Sequence, residues 1–193
     1  MSAAAAPYGM VPATNFGAGY NTQGFETLTI VDGYATSIFF GDVVKIAASG
    51  TIQKDTGTVT LTPYGVFLGC RYVNPSLGYV LDSQCWPAST VTGYTVYAKV
   101  QTFSWSVYKI QGDGSIALTA LGNNAAINQT AGNITYPQSS RNSLNTASIA
   151  TTSTLPLRVV GLWESPGNNW GDAFTDVLVT FNNNQQLLVA TGV

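Results

Sequence analysis

From residue 26 onward the chain repeats one pattern, a short run of β-branched, aromatic or aliphatic residues closed by a turn signal, roughly every ten residues. The runs at 27–31, 35–40, 43–47, 51–54, 58–61, 79–81, 84–86, 94–100, 157–163 and 176–181 read as strands. Gly41-Asp42, Ser49-Gly50, Pro63-Tyr64-Gly65, Asn74-Pro75-Ser76-Leu77-Gly78 and Gly112-Asp113-Gly114 punctuate them. Residues 66–72 read as an apolar run, short enough for a buried strand. Phe103, Trp105 and Val107 alternate with small polar residues, so 103–110 is expected to be a half-buried strand with Trp105 packed into the core. Residues 128–154, rich in Asn, Ser, Thr and Gly, read as loops with short strands. Only 115–121 offers a helix, which Gly122-Asn123-Asn124 would end. With no long amphipathic helices between strands, a βαβ parallel sheet is disfavoured. The expected fold is all-β, a barrel or a sandwich with at most one short helix, forming a single domain over 26–193 that needs no second core.

Residues 1–25 differ in kind. Gly, Ala, Pro and Asn dominate, no period is present, and Tyr8, Phe16, Tyr20 and Phe25 are spaced along the segment. A disordered tail seldom carries so many aromatics. The segment is expected to be an extended arm whose rings, with Val11, pack on its own domain or on a neighbour.

Charge is scarce. Asp, Glu, Lys and Arg make up 8% of the 193 residues, against about 25% in ordinary soluble domains. Thr, Ser, Asn, Gln and Gly take their place, and hydrophobic residues at 45% rule out disorder by composition. Such a surface lacks the usual charge-based protection against association, which fits a chain covered by partners. The net charge is −2 and the seven cations are scattered, so nucleic-acid binding, which needs clustered cations, is not expected. No run approaches the roughly 18 apolar residues of a membrane span, and residues 1–7 show no secretory leader pattern.

The residues that usually carry chemistry are missing or committed elsewhere. Histidine is absent, which removes the commonest general base and metal ligand and excludes Ser-His-Asp and Cys-His catalysis. Glu26 and Glu164 are the only glutamates, and Asp42, Asp113, Glu164 and Asp172 sit beside turn residues, so a carboxylate pair for glycoside cleavage is not expected. Asn168, Asn169, Asp172 and Asp176 crowd oxygen atoms together without the spacing of a calcium loop, and read as a loop that solvates itself. No phosphate-binding loop, metal site or cofactor motif is present. Cys70 lies in the apolar run and, with Cys85, is read as a buried thiol, since a disulfide would need an oxidising compartment. Trp163 is expected to pack, whereas Trp170, in a polar loop, is expected to be exposed as either an interface anchor or a ligand platform. The chain is expected to be a non-enzyme.

Residues 38–72 carry Ile38-Phe39-Phe40-Gly41-Asp42-Val43-Val44, then Ser49-Gly50-Thr51-Ile52, then Pro63-Tyr64-Gly65-Val66. This order resembles phage head decoration proteins of the lambda type, where a Gly-Asp-Val strand, a tight hairpin and a Pro-x-Gly-Val strand follow one another. Pro7-Tyr8-Gly9, Val11-Pro12, Trp86-Pro87-Ala88, Leu155-Pro156-Leu157-Arg158-Val159 and Ala190-Thr191-Gly192 are similar to capsid-associated proteins of marine phages. The resemblance implies a β-tulip-like barrel made in the bacterial host cytoplasm. It would bind the outer surface of the major capsid protein shell in the virion, as a homo-oligomer with a trimer favoured over a dimer. Tyr8, Val11, Phe16, Tyr20, Phe25 and Trp170 are the candidate partner-binding residues. The competing reading is a carbohydrate- or receptor-binding β module of a phage tail or adhesin.

Overall fold

The computed structural model describes residues 4–15, 24–74, 76–88, 93–102, 105–135, 138–183 and 185. Among them strands are the only regular structure apart from one short 3-10 turn. In order these are β1 (Val11–Asn15), β2 (Glu26–Ile30), β3 (Ile38–Phe39), β4 (Val43–Ile46) and β5 (Ile52–Lys54). Then come β6 (Gly65–Val73), β7 (Val80–Ser83), β8 (Cys85–Trp86), β9 (Val96–Gln101) and β10 (Ser106–Gln111). A 3-10 turn (Leu118–Ala120) precedes β11 (Asn124–Asn128), β12 (Ser143–Ala150), β13 (Leu157–Leu162) and β14 (Asp176–Phe181). The fold is all-β, and the helical candidate at 115–121 shrinks to that one turn.

Five strands close on themselves. The order β4-β5-β2-β9-β6 returns to β4 through the pairs Val43–Val66 and Val44–Gly65, and β7 flanks β6. Closure removes the free edges that an open sheet would present. The period-2 rule places Val96, Ala98 and Val100 of β9 inside and Tyr97 and Lys99 outside. Ile30, Val44, Ile52 and Phe67 fill the rest of the interior. The register between β6 and β9 slips between Phe67 and Gly69. Gly69 takes φ +142° there, and a Cβ would stand 2.7 Å from the Ser83 carbonyl, so only glycine fits the bulge that bends the strand.

The second sheet runs β1-β10-β14-β13-β11-β12 and curls until its far strand meets the end of β10. Gly112 bridges to Leu144, and the Asp113 amide donates to the Leu144 carbonyl at 3.0 Å. The Asp113 carboxylate fastens this seam by accepting from the Thr146 amide (2.9 Å), the Thr146 hydroxyl (2.6 Å) and Asn128 Nδ2 (2.7 Å). Burial disfavours its charged form, but these donors outweigh that and hold the carboxyl below its ordinary value. Tyr108, Ile127, Leu144, Leu157, Val179 and Phe181 are among the side chains filling the curl.

Two apolar cores therefore exist where a single one was expected, and the same strands wall both. On β4, Val43 faces the curled-sheet core and Val44 the barrel; on β6, Val66 and Phe67 divide likewise. A strand buried on both faces reads as a continuous apolar run, which is why 66–70 shows no alternation.

Several segments depart from expectation. The polar stretch 128–154 contains β12, eight residues long, because its backbone pairs with β11 and tertiary pairing overrides weak propensity. Residues 58–61 are not a strand; they bend around buried Asp55, whose carboxylate accepts from the amides of Gly57 (3.0 Å) and Thr62 (2.8 Å). Trp105 is 61% exposed in the turn before β10, outside the alternating strand. Of the two places expected for the N-terminal segment, residues 4–15 take the chain's own domain: β1 pairs with β10 and Met10 lies in the curled-sheet core.

One polar knot joins the halves. Gly41 (φ +87°) turns the chain so that its amide donates to Phe67 and its carbonyl accepts from Met10. The next residue, Asp42, is fully buried. Its carboxylate accepts from the Phe39 amide (2.9 Å), Lys54 Nζ (2.8 Å) and Asn142 Nδ2 (3.1 Å). Asp42 is thus far more than a turn residue.

Removing one partner of a buried pair leaves the other charge uncompensated. Asp42→Asn should lower unfolding free energy by about 3 kcal/mol, read from the denaturant midpoint. A loss no larger than that of an exposed Asp→Asn control would show that the knot contributes little. At Asp113 the folded value lies below the unfolded one, so its stabilisation is present above the ordinary carboxylate range and fades on acidification. The stability gap between wild type and Asp113→Asn should shrink between about pH 6 and about pH 2.5. A gap constant over that range would contradict the clasp.

Candidate functional site

The described part of the N-terminal segment is strapped to the curled sheet. Gln111 on β10 receives the Ala6 amide at 2.8 Å and donates to the Ala4 carbonyl at 3.3 Å. The Tyr8 hydroxyl donates to Asp176 Oδ1 at 2.9 Å. Lys109 Nζ sits 3.4 Å from Asp176 Oδ2, 4.8 Å from the Tyr8 ring centre and 5.2 Å from that of Trp163. Burial, reinforced by the Asp176 charge, raises the Tyr8 hydroxyl well above its ordinary value, so it remains a donor. Tyr8 and Val11 are thus spent, wholly or in part, on the chain's own sheet. Phe16 and Tyr20 lie outside the described residues.

Trp170 was expected to be exposed; it is partly buried and packs against the curled-sheet core. Trp105, expected inside, stands out. The two reverse because Trp170 lies in a loop folded back on the sheet, where the Gly171 amide donates to the Ile116 carbonyl at 2.8 Å. That loop solvates itself: Asn168 Nδ2 donates to the carbonyls of Trp163 (2.7 Å) and Asp176 (2.8 Å), and its Oδ1 accepts from the Asp176 amide (2.9 Å). Among the described residues no group of three or more Cys, Asp or Glu could hold a metal ion.

The outer wall of the barrel is the surface that remains. The register sets Thr29 beside Tyr97, Tyr97 beside Arg71 and Arg71 beside Asp82, across β2, β9, β6 and β7. Val73 and Val80 pair one step along on the same face. Tyr97 is 47% exposed and Val80 49%, with Leu77 and Tyr79 exposed in the turn leading into β7. Phe25, the one predicted contact residue found well exposed, stands at the start of β2 with Lys99 Nζ 6.0 Å from its ring centre. Lys99 also approaches Asp82 at 3.7 Å, an exposed pair that contributes little to stability. The face gathers exposed Tyr97, Val80 and Phe25 around Arg71, Asp82 and Lys99, a mixture of aromatic, aliphatic and charged side chains that a docking surface can carry. The run at 94–100 was legible as a strand, but the convergence of four strands on one face depends on long-range register.

A cleft of about 560 Å³ opens elsewhere, between Thr36, Phe39, Lys54, Gly132, Ile134 and Arg141. Cys70 and Cys85 are both buried and unpaired. Cys70 Sγ donates to the Cys85 carbonyl at 3.4 Å, and burial, then Cys85 and Asp82, push its thiol up to about 12. Nucleophilic chemistry needs the thiolate, which this environment suppresses.

Comparison with known proteins brings no relative: no protein-family model, curated protein or solved structure matches the chain.

Tyr8→Phe removes one hydrogen bond to a charged acceptor and should cost about 1–2 kcal/mol in unfolding free energy while leaving the strand paired. An unchanged midpoint would show that the strap does not depend on it. At about pH 8 the folded chain should resist iodoacetamide at both cysteines and react in denaturant. Rapid labelling of the native protein, located by peptide mass, would contradict the buried-thiol assignment.

Proposed function

We propose that the chain is a non-enzymatic virion protein that binds the outer surface of a tailed-phage capsid, contacts the major capsid protein and stabilises the shell. The observation that carries this reading is the exposed Tyr97–Val80–Tyr79–Phe25 face on the barrel, set in a chain with very few charges. An apolar surface of this kind is covered in use, since free in solution it would promote association. The described arm residues are engaged on their own sheet, so attachment is assigned to the barrel wall. A cement protein gains by repetition: one site with Kd about 1 μM is worth roughly 8 kcal/mol. A trimer engaging several sites raises the effective strength by about a hundredfold or more. The chain is accordingly proposed to act as a homo-oligomer, a trimer before a dimer, bridging neighbouring capsid subunits. A carbohydrate- or receptor-binding module would use the same aromatic face on a glycan.

The double variant Tyr97→Ser with Val80→Ser changes exposed side chains and should fold normally. Its occupancy on capsids, measured by co-sedimentation, should fall at least tenfold, while wild-type occupancy should survive about 1 M salt, where the Debye length is near 3 Å. Undiminished occupancy of the variant would remove the barrel face from the interface. Saccharide binding on a glycan array, with no capsid binding, would replace the reading altogether.

A further inference from the structure

The knot at Asp42 has the composition of a self-reacting site. Lys54, at the end of β5, and Asn142, just before β12, hydrogen-bond to opposite oxygens of one carboxylate, at 2.8 Å and 3.1 Å. Asp42 and Asn142 are fully buried, and the Lys54 side chain is 9% exposed. The Phe39 ring, itself buried, lies 5.9 Å from Lys54 Nζ. Asn142 Oδ1 accepts the Thr130 amide at 2.8 Å, so its carbonyl is polarised where negative charge would develop during attack. An amine, a polarised carboxamide and a shared carboxylate, held together without bulk water, meet the requirements of amide exchange.

We propose that Lys54 and Asn142 become joined by an isopeptide bond, formed without any other enzyme, with Asp42 moving the protons. Asp42 takes a proton from the Lys54 ammonium, which frees the nitrogen lone pair. In a buried pair this transfer also relieves the desolvation of two opposite charges. Nζ attacks Cγ of Asn142, and the oxyanion on Oδ1 is held by the Thr130 amide. Asp42 returns its proton to Nδ2 and takes one from Nζ. The Cγ–Nδ2 bond breaks and the Nζ–Cγ amide forms. Ammonia departs and carries the last proton away as ammonium, which leaves Asp42 a carboxylate. Nothing is oxidised or reduced, and no co-reactant enters. Lys54 and Phe39 line the cleft of about 560 Å³, which offers the leaving group an exit.

The bond would tie the barrel to the curled sheet covalently, across the strands that their cores share. It is independent of what the barrel face binds. Intact mass spectrometry of the purified full chain in denaturant tests it directly. The expected mass is that of the sequence less one ammonia, and digestion should yield a branched peptide joining Lys54 to Asn142. The Asp42→Ala variant should run at full mass. If it does not fold, Lys54→Arg, which keeps a cation against Asp42, should also run at full mass. A wild-type chain at full mass overturns the proposal. So does loss of one water with Lys54 joined to Asp42, or loss of ammonia with no branch between 54 and 142.

Discussion

A carboxylate with no access to water must be surrounded by donors, and at Asp42 those donors come from three separate stretches of chain. The Phe39 amide lies in its own turn, Lys54 on the adjacent barrel strand and Asn142 in the connection leading to β12. None of the three can be displaced without leaving a buried polar group unsatisfied. The surrounding backbone repeats the constraint. Gly9 donates to the Asn142 carbonyl, Ser140 to Phe40, Met10 to Gly41 and Gly41 to Phe67. Gly9 can pack there only because it lacks a side chain: a Cβ would fall 2.6 Å from that of Ser140. The N-terminal segment, the turn after β3, strand β6 and the start of β12 thus meet within one hydrogen-bonded cluster. The relative placement of barrel and curled sheet follows from it.

That junction explains why two cores coexist in one chain. A strand between two apolar spaces must be apolar on successive residues, and β4 and β6 supply Val43-Val44 and Val66-Phe67. Where they lie between the two cores these strands have no solvent face, whereas Arg71, further along β6, reaches solvent. The loop after β5 is tied down in the same way, with Asp55 1% exposed and Gln129 donating to the carbonyls of Asp55 and Gly57. Buried polar groups here replace helices as the means of covering barrel ends, since among the described residues the single helical element is one 3-10 turn.

What was legible in the sequence is what local physics controls. The apolar run on β6 predicted its burial, the β-branched and aromatic run at 94–100 predicted a strand, and the turn signals at Ser49-Gly50 and Gly112-Asp113-Gly114 stand where strands end. Long-range pairing hid the rest. β12 is mostly Ser, Asn, Thr and Ala, with Leu144 and Ile149 its only large apolar residues, and its pairing with β11 makes it a strand. Asp42 follows a glycine and so reads as a turn residue; nothing local reveals that Asn142, a hundred positions away, will donate to it. The tryptophans failed for the same reason. Trp105 continues an alternating pattern past the point where the strand begins, and Trp170 sits among polar residues in a loop that folds onto the core. For the candidate site, the strands were legible one by one and Phe25 was named, but Tyr97 and Val80 join it on one wall only through the register.

The distribution of charge completes the physical picture. Of the seven cations, Lys45, Lys54, Lys99 and Lys109 approach Asp55, Asp42, Asp82 and Asp176 within 4 Å, and two of those acids, Asp55 and Asp42, are buried. Three of these links end on a buried or largely buried acid, whereas the Lys99–Asp82 pair is exposed, so part of the chain's few charges is spent inside. A neutral surface offers little electrostatic steering and little repulsion between copies. Association then depends on shape and on apolar area, which favours contacts held at high local concentration over long-range capture. Residues such as Tyr97 and Phe25 suit that regime, since an aromatic ring carries large contact area on few rotatable bonds and loses little entropy when covered. The same scarcity of surface charge that would make a free monomer prone to aggregate becomes harmless once the barrel wall is occupied. The internal ion pairs, shielded from solvent, would keep the scaffold rigid whatever the salt around it.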